Sequence, residues 1–197
     1  GVPTDSTNLV AKALRLCRRT ARITIDKRIP HGGGLGGGST DAAAVLNWAG
    51  FGHDPEALDT ASALGADIPF CLVGGRARVR GIGEIIEPLP HVDRTITLII
   101  PPLAISTPAA YRAWDELGGP RSAGPNDLEA AAIAVEPRLA WWRDAIADRI
   151  GEPPVLAGSG ATWFTGGARE NALADLNDEG ARIVVTRTAN PPSVQRE

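Results

Sequence analysis

The spacing of hydrophobic residues along the chain predicts a mixture of helices and strands. Apolar residues three to four positions apart over 9–17 predict a helix, with its N-cap among Asp5, Ser6 and Thr7. Alternating apolar and polar residues over 21–27 predict a half-buried strand. Apolar composition and capping signals such as Asp54-Pro55 predict further helices at 39–49, 54–64, 128–135 and 169–176, and one that begins at Pro137 and contains Trp141 and Trp142. Further strands are predicted at 76–80, 84–88, 95–100, 162–164 and 183–185.

Composition and charge narrow the classes of partner. The 197 residues are 43% hydrophobic and 22% charged, and the net charge of −3 gives no electrostatic basis for binding nucleic acid. The longest apolar run is far shorter than the roughly 18 residues of a membrane span. Cys17 and Cys71 lie among apolar residues and predict core thiols. We therefore expect a cytoplasmic protein that binds neither nucleic acid nor a membrane. The expected oligomeric state, which the composition does not determine, is a monomer or weak homodimer.

The most informative stretch is GGGLGGGST at 32–40, between the predicted strand at 21–27 and the helix that follows. Glycine residues let a ligand approach the backbone, and a helix N-terminus offers unpaired N–H groups to an anion. The hydroxyls of Ser39 and Thr40 suit a phosphate oxygen or Mg²⁺, with Ser39 as the candidate metal ligand. The stretch also satisfies G-x-G-x-x-G, which leaves a dinucleotide-binding fold open, whereas no Walker A lysine follows Gly38.

Several further motifs follow this loop in a fixed order. They are LGADIPF at 64–70, GIGE at 81–84, STP at 106–108, NDLE at 126–129 and GSGAT at 158–162. Together with IDKRIP at 25–30 and the glycine loop, this set resembles the GHMP kinases, a superfamily that includes mevalonate, homoserine and galactose kinases. The set is most similar to the branch that acts on a cytidine-diphosphate-linked methylerythritol.

The resemblance implies a fold and a reaction. The fold would be α+β with two domains: a ribosomal S5 domain 2-like ATP-binding part at 1–90 and a ferredoxin-like domain at 91–197, with the active site in the cleft between them. The reaction would be ATP-dependent phosphorylation of the 2-hydroxyl of the small-molecule substrate 4-diphosphocytidyl-methylerythritol, in the non-mevalonate isoprenoid pathway. ATP and Mg²⁺ are the implied cofactors.

The resemblance also assigns roles to particular residues. Asp67 would be the catalytic base. The residues expected to hold the ATP phosphates are Pro30, Gly32, Gly33, Gly34, Leu35, Gly36, Gly37, Gly38, Ser39 and Thr40. The residues expected to bind the cytidine substrate are Thr107, Tyr111, Gly158, Ser159 and Gly160. We expect Asn126 and Asp127 to cap a helix rather than bind a ligand, and Lys27 and Arg28 to form a solvated strand end.

Two motifs of this branch, a Pro-Ala-Lys-Leu-Asn-like strand and an Asp-Gly-Tyr-His-like stretch, do not occur in the 197 residues, which also contain no methionine. We therefore expect a chain cut at its N-terminus, inactive or poorly folded as it stands. Three alternatives remain: another GHMP small-molecule kinase of the homoserine or mevalonate type, a non-catalytic nucleotide-binding remnant, and a Rossmann-type oxidoreductase. The last would need a parallel sheet and an acid about 20 residues after the glycine loop.

Overall fold

The structure, a computed structural model, describes residues 3–119, 121–122 and 124–189. The described residues form two units. Unit 1 contains 3–28, 36–92 and 189, and unit 2 contains 29–35 and 93–188. The glycine loop is therefore shared, with its first half in unit 2 and its second half in unit 1.

Unit 1 contains four helices and a β-hairpin: α1 (Leu9–Leu16), α2 (Gly37–Trp48), α3 (Pro55–Ser62), α4 (Ile68–Val73), and β1 (Arg76–Arg80) paired antiparallel with β2 (Ile85–Leu89). The start of α3 is set by Asp54, whose Oδ1 accepts the N–H of Ala57 at 3.0 Å. Alanine and leucine on facing sides of the helices form the core, which includes Ala13, Ala42, Leu46, Ala61 and Ile68.

Two predictions for unit 1 are wrong. Residues 21–27 form no strand in the described part of the chain, because no other described strand pairs with them, and most of their side chains are exposed. The N-cap of α1 is Asn8, whose Oδ1 accepts the N–H of Val10 at 2.9 Å, rather than Asp5, Ser6 or Thr7. Asp5 instead accepts the N–H of Thr7 at 2.8 Å in a turn that precedes the helix.

Unit 2 contains a four-stranded antiparallel sheet in the order β4-β5-β3-β6, together with three α-helices and a 3₁₀-helix at Ala174–Asn177. The strands are β3 (Thr95–Ile100), β4 (Val155–Leu156), β5 (Trp163–Gly166) and β6 (Arg182–Arg187), and the helices are α5 (Thr107–Glu116), α6 (Glu129–Val135) and α7 (Arg138–Ile150). Central strand β3 pairs Ile99 with both Trp163 and Ile183. A core that includes Leu139, Ile146 and Leu156 packs with these strands.

The α-helix predicted at 169–176 is wrong, since only a single 3₁₀ turn forms there. Leu173 and Leu176 are fully buried and three residues apart, a spacing that 3₁₀ geometry places on one face. The sheets also decide one alternative. All strand pairs in the described residues are antiparallel, so the parallel sheet of a Rossmann-type oxidoreductase is absent from them, whereas an α+β fold is confirmed.

No helix in the described residues is both long enough and apolar enough to cross a membrane.

Candidate active site

The first half of the glycine loop is fixed by backbone hydrogen bonds within unit 2. The carbonyl of Gly32 accepts the N–H of Ile105 at 3.3 Å, and the carbonyl of Gly33 accepts the N–H of Thr162 at 3.1 Å. Both carbonyl oxygens are thereby occupied by protein donors. These two bonds hold the first half of the loop to the chain at Ile105 and Thr162.

Gly34 lies against the small-residue loop at 157–162. A Cβ on Gly34 would stand 2.1 Å from the carbonyl oxygen of Ala157 and 2.9 Å from both the N and O atoms of Gly160. The φ angle of Gly34 is +73°, in the region that side chains disfavour. Both the contact and the conformation require glycine here. Pro30, which precedes the loop, is half-buried, and its carbonyl oxygen lies 3.5 Å from the position that a Cβ on Gly33 would take.

The second half of the loop is the N-terminus of α2 in unit 1. Gly36 is the N-cap with φ +65°, and no side chain caps the helix. The first N–H groups of a helix have no partner within it, so those of Gly37, Gly38 and Ser39 are available to an anion. The Thr40 hydroxyl donates to the carbonyl of Gly36 at 3.1 Å. Leu35, half-buried, connects the two halves.

The described residues near the glycine loop offer few side chains that could coordinate a metal ion. Within the described part of the chain, no group of three or more His, Cys, Asp or Glu side chains could hold a metal ion. Ser39 is half-buried in the first turn of α2 and offers one hydroxyl oxygen. Mg²⁺ in phosphoryl-transfer sites takes most of its ligands from phosphates and water, so a single protein oxygen is compatible with a metal that enters with the nucleotide.

Asp67 lies in unit 1, at the start of a helix that contacts the first turn of α2. The Thr40 hydroxyl oxygen is 3.6 Å from the Cys71 sulfur, and the Cys71 N–H donates to the carbonyl of Asp67 at 3.0 Å. Asp67 is therefore one helical turn from a residue that contacts the first turn of α2. Burial raises the pKa of the Cys71 thiol, so the thiol between them stays protonated and adds no charge to a phosphate site.

The carboxylate of Asp67 is available for chemistry. Asp67 occupies the N-cap position of α4, but its side chain makes no capping hydrogen bond, and it is exposed. Its backbone is supported by the hairpin turn: a Cβ on Gly83, which has φ +128°, would stand 1.9 Å from the carbonyl oxygen of Ala66. The GIGE motif thus allows β1–β2 to approach the residue immediately before Asp67.

Unit 2 brings together most of the residues predicted to bind substrate. The hydroxyls of Thr107 and Ser159 are hydrogen-bonded at 2.9 Å, and Ser159 is buried. Tyr111 lies four residues after Thr107 on α5, on the same helix face, and its side chain is 53% exposed. Gly158 and Gly160 flank Ser159 with φ angles of +54° and +88°.

Asn126 shapes this part of unit 2, and its role was underestimated from the sequence. Its amide nitrogen donates to the carbonyls of Leu156 at 2.8 Å and Gly158 at 2.7 Å, while its Oδ1 accepts the N–H of Leu128 at 2.9 Å. The prediction that Asn126 and Asp127 cap α6 is wrong, because its N-cap is Leu128 and no side chain caps it. Asn126 joins the turn before α6 to the loop that contains Ser159. Asp127 instead accepts the N–H of Ser122 at 2.7 Å.

Lys27 is also not the solvated strand end that the sequence predicts. Its Nζ lies 2.5 Å from Oδ2 of Asp41 in α2, and both side chains are largely covered. Arg28 matches the prediction of exposure and pairs with Asp26 at 2.9 Å. Asp41 was missed in the sequence because a carboxylate near a helix start commonly serves the helix dipole alone.

Comparisons with known proteins find relatives in one family of kinases. Residues 8–75 match the family profile described as GHMP kinases N terminal domain. The chain is 37% identical over 187 residues to 4-diphosphocytidyl-2-C-methyl-D-erythritol kinase of Paracoccus denitrificans, covering 83% of this chain and 65% of that protein. It is 40% identical over 192 residues to the kinase of the same name from Cereibacter sphaeroides, covering 83% and 67%. The chain thus spans about two thirds of these relatives' length.

Solved structures agree with these relatives. A crystal structure of 4-(cytidine 5'-diphospho)-2C-methyl-D-erythritol kinase superposes with a TM-score of 0.73 at 30% identity, covering 96% of this chain and 81% of that one. Homoserine kinase from Cytophaga hutchinsonii has the same fold, with a TM-score of 0.61 at 18% identity and coverage of 95% and 78%. These likenesses confirm the two-domain α+β fold class that the motifs imply.

Proposed function

The chain belongs to the GHMP kinases, in the family of the 4-diphosphocytidyl-2-C-methyl-D-erythritol kinases, and from this premise we propose that it is an ATP-dependent small-molecule kinase. The proposed acceptor is the 2-hydroxyl of 4-diphosphocytidyl-2-C-methyl-D-erythritol, and the reaction is a step of the non-mevalonate isoprenoid pathway. The names of the relatives support this choice of substrate.

One observation in unit 1 carries the proposal. The uncapped N-terminus of α2 and the exposed carboxylate of Asp67 are linked through only two contacts, Thr40 to Cys71 and Cys71 to Asp67. A helix N-terminus binds phosphate, and a nearby carboxylate can take the proton of an alcohol that attacks this phosphate. These are two of the groups that phosphoryl transfer to a hydroxyl uses, beside the metal ion that neutralises phosphate charge.

We assign phosphate binding to the loop from Pro30 to Thr40. The N–H groups of Gly37, Gly38 and Ser39 would bind phosphate oxygens. The carbonyl oxygens of Gly32 and Gly33 are already hydrogen-bonded within unit 2. The Ser39 hydroxyl would be the protein ligand of Mg²⁺. ATP, when bound with this metal, supplies the γ-phosphoryl group.

We assign Asp67 as the base. Its carboxylate orients the acceptor hydroxyl and takes the proton as the hydroxyl oxygen forms its bond to the γ-phosphorus and ADP leaves with the electrons of the broken P–O bond. The absence of a capping bond supports this role, because a carboxylate already bonded to the α4 N–H groups would be a poorer base.

We assign cytosine binding to unit 2. The phenol ring of Tyr111 offers an exposed aromatic face, and the hydrogen-bonded hydroxyls of Thr107 and Ser159 offer polar contacts on the same side of α5. Gly158 and Gly160 support this site indirectly, by letting the loop that holds Ser159 pack closely: a Cβ on Gly158 would stand 3.0 Å from the carbonyl oxygen of Gly34, and one on Gly160 would stand 2.9 Å from Cδ1 of Ile105. Stacking of a base on an aromatic ring contributes about 1–3 kcal/mol, enough to make Tyr111 a principal anchor.

The proposal is tested by phosphorus NMR with ATP, Mg²⁺ and 4-diphosphocytidyl-2-C-methyl-D-erythritol, on the chain joined to an N-terminal segment that carries the two motifs missing from the 197 residues. We expect a new phosphomonoester signal together with ADP. The full-length Paracoccus denitrificans relative serves as the positive control. A signal from the relative but none from the extended chain would contradict the proposal and favour a non-catalytic nucleotide-binding role.

Parallel reactions with homoserine and mevalonate separate the remaining alternatives. Formation of ADP with either alcohol, but not with the diphosphocytidyl substrate, would keep the assignment of the glycine loop and Asp67 and overturn the cytosine site.

A Tyr111→Ala variant tests the cytosine site directly. Loss of the stacking surface is expected to raise the KM for the diphosphocytidyl substrate about 5- to 100-fold, while the KM for ATP stays within twofold. Steady-state kinetics with each substrate varied in turn measures both constants. Leu117→Ala, which removes another exposed apolar side chain just past the end of α5, is the matched control. Equal effects of the two substitutions would refute the assignment of Tyr111.

A further inference from the structure

The ion pair between Lys27 and Asp41 lies next to the glycine loop and has no role in the reaction assigned above. The Lys27 Nζ and Asp41 Oδ2 atoms are 2.5 Å apart, and the side chains are 20% and 30% exposed. The neighbouring pair of Arg28 and Asp26 differs sharply, with side chains 85% and 75% exposed. Exposed pairs contribute little, whereas a covered pair with a short hydrogen bond holds its two segments in place.

The position of the pair gives it a specific consequence. Lys27 is the next-to-last residue of unit 1 before the chain leaves it, and Asp41 lies in the second turn of α2 after the chain returns. The pair therefore joins the two ends of the glycine loop within unit 1. A segment with six glycines at 32–38 has high conformational entropy when it is free. An ion pair that links the two ends of this segment reduces the conformational entropy that is lost when phosphate binds.

The charge of Asp41 also affects phosphate binding, in addition to the link that the ion pair makes between the ends of the loop. Asp41 places a negative charge near the helix N-terminus that is assigned to phosphate, and an unpaired carboxylate there would repel the nucleotide. Lys27 neutralises this charge. The chain has only two lysines among its 20 basic residues, so Lys27 is also unusual in type: a compact ammonium fits a single short bond to one carboxylate oxygen.

We propose that Lys27 and Asp41 are positioning residues for ATP: the pair sets the separation of the ends of the glycine loop and removes a repulsive charge from the phosphate site. The proposal rests on the assignment of this loop to ATP phosphates. Neither residue contacts the reacting atoms in this account, and the expected effect falls on ATP affinity rather than on the chemical step.

The two functions of the pair predict an ordered series of variants. Lys27→Met breaks the link between the ends of the loop and exposes the carboxylate, so the KM for ATP is expected to rise about tenfold. The double variant Lys27→Met with Asp41→Asn breaks only this link, and we expect about a threefold rise. Asp41→Asn leaves an unpaired ammonium that attracts phosphate, so we expect less than a threefold rise. Lys27→Arg keeps the charge and should fall between wild type and Lys27→Met.

Three readouts separate positioning from a merely structural role. The KM for the diphosphocytidyl substrate and kcat should stay within twofold of wild type in every variant, and the affinity for an ATP analogue measured by calorimetry should follow the KM for ATP. Asp26→Asn, which removes the carboxylate of the exposed neighbouring pair, is the matched control and should behave as wild type.

The outcomes distinguish this proposal from the proposed function. If the wild-type chain does not bind the ATP analogue, the assignment of the glycine loop fails and this proposal fails with it. If the wild type binds but Lys27→Met binds within twofold of it, only the positioning role is overturned. Equal losses for both substrates, or a double variant weaker than Lys27→Met, would also overturn it.

Discussion

A Gly34→Ala variant is expected to lose about 2–5 kcal/mol of the free energy of unfolding, because one methyl group meets two costs at once. The new Cβ would stand 2.1 Å from the carbonyl oxygen of Ala157, a distance at which the backbone of one loop must move. The residue must also keep φ +73°, which alanine disfavours by about 1–2 kcal/mol. Urea denaturation followed by tryptophan fluorescence measures the loss.

The loop at 157–162, which Gly34 contacts, is held by several hydrogen bonds and cannot easily move away from a new methyl group. The amide of Asn126 bonds the carbonyls of Leu156 and Gly158, and the Ala157 N–H donates to the carbonyl of Thr162 at 2.8 Å. Displacing Ala157 therefore disturbs several hydrogen bonds, which makes collapse around the new methyl group costly.

Gly36→Ala is the matched control for this prediction. Gly36 has a similar φ of +65°, but a Cβ there would meet no atom within 4 Å. The control variant is expected to lose only about 1 kcal/mol of the free energy of unfolding, because alanine disfavours the positive φ angle but meets no steric clash. Similar destabilisation by the two substitutions would mean that backbone conformation alone, and not the contact with Ala157, requires glycine at position 34.

Local patterns predicted most of the elements, and the errors come from missing tertiary partners. The cap at Asp54 and the strands at 76–80 and 95–100 follow from capping and from turn or strand chemistry within a few residues. Alternation at 21–27 could not show whether a partner strand exists, and in the described residues none pairs with it. At 169–176, the burial of two leucines three residues apart favours a 3₁₀ turn over a full helix.

In the candidate site, too, features set by local sequence could be predicted and features set by tertiary contacts could not. Glycine-rich composition pointed to the loop at 32–40, because that signal is local, whereas Asp67 was singled out only by the resemblance of the motif set to the GHMP kinases. The contacts that hold the loop are not local: Gly34 meets Ala157, and Gly33 binds Thr162, more than 120 residues away along the chain. The pairing of Lys27 with Asp41 also depends on how α2 folds back toward residue 27, which side-chain type alone does not specify.

Asp67→Asn is expected to lower turnover about 10²- to 10⁴-fold, because the amide keeps the shape of the side chain but cannot accept the proton of the acceptor hydroxyl. The melting temperature should stay near that of wild type, since the Asp67 side chain is exposed and makes no capping bond whose loss would weaken α4. Affinity for an ATP analogue should also persist, because phosphate binding is assigned to backbone N–H groups of α2. Steady-state kinetics, thermal unfolding and calorimetry measure these three quantities.

The control is Asp59→Asn, which removes an exposed carboxylate from α3 of the same unit and should leave turnover unchanged. The combination of results is diagnostic. Lost turnover with retained stability and ATP affinity places the defect in the chemical step, as expected of a base. Lost turnover together with lost ATP affinity would instead indicate that Asp67 acts on nucleotide or metal binding, and near-normal turnover would remove it from the mechanism. Because the Thr40 and Cys71 contacts bring Asp67 to the start of α2 through a neutral thiol, the first of these outcomes is the one that the geometry of unit 1 favours.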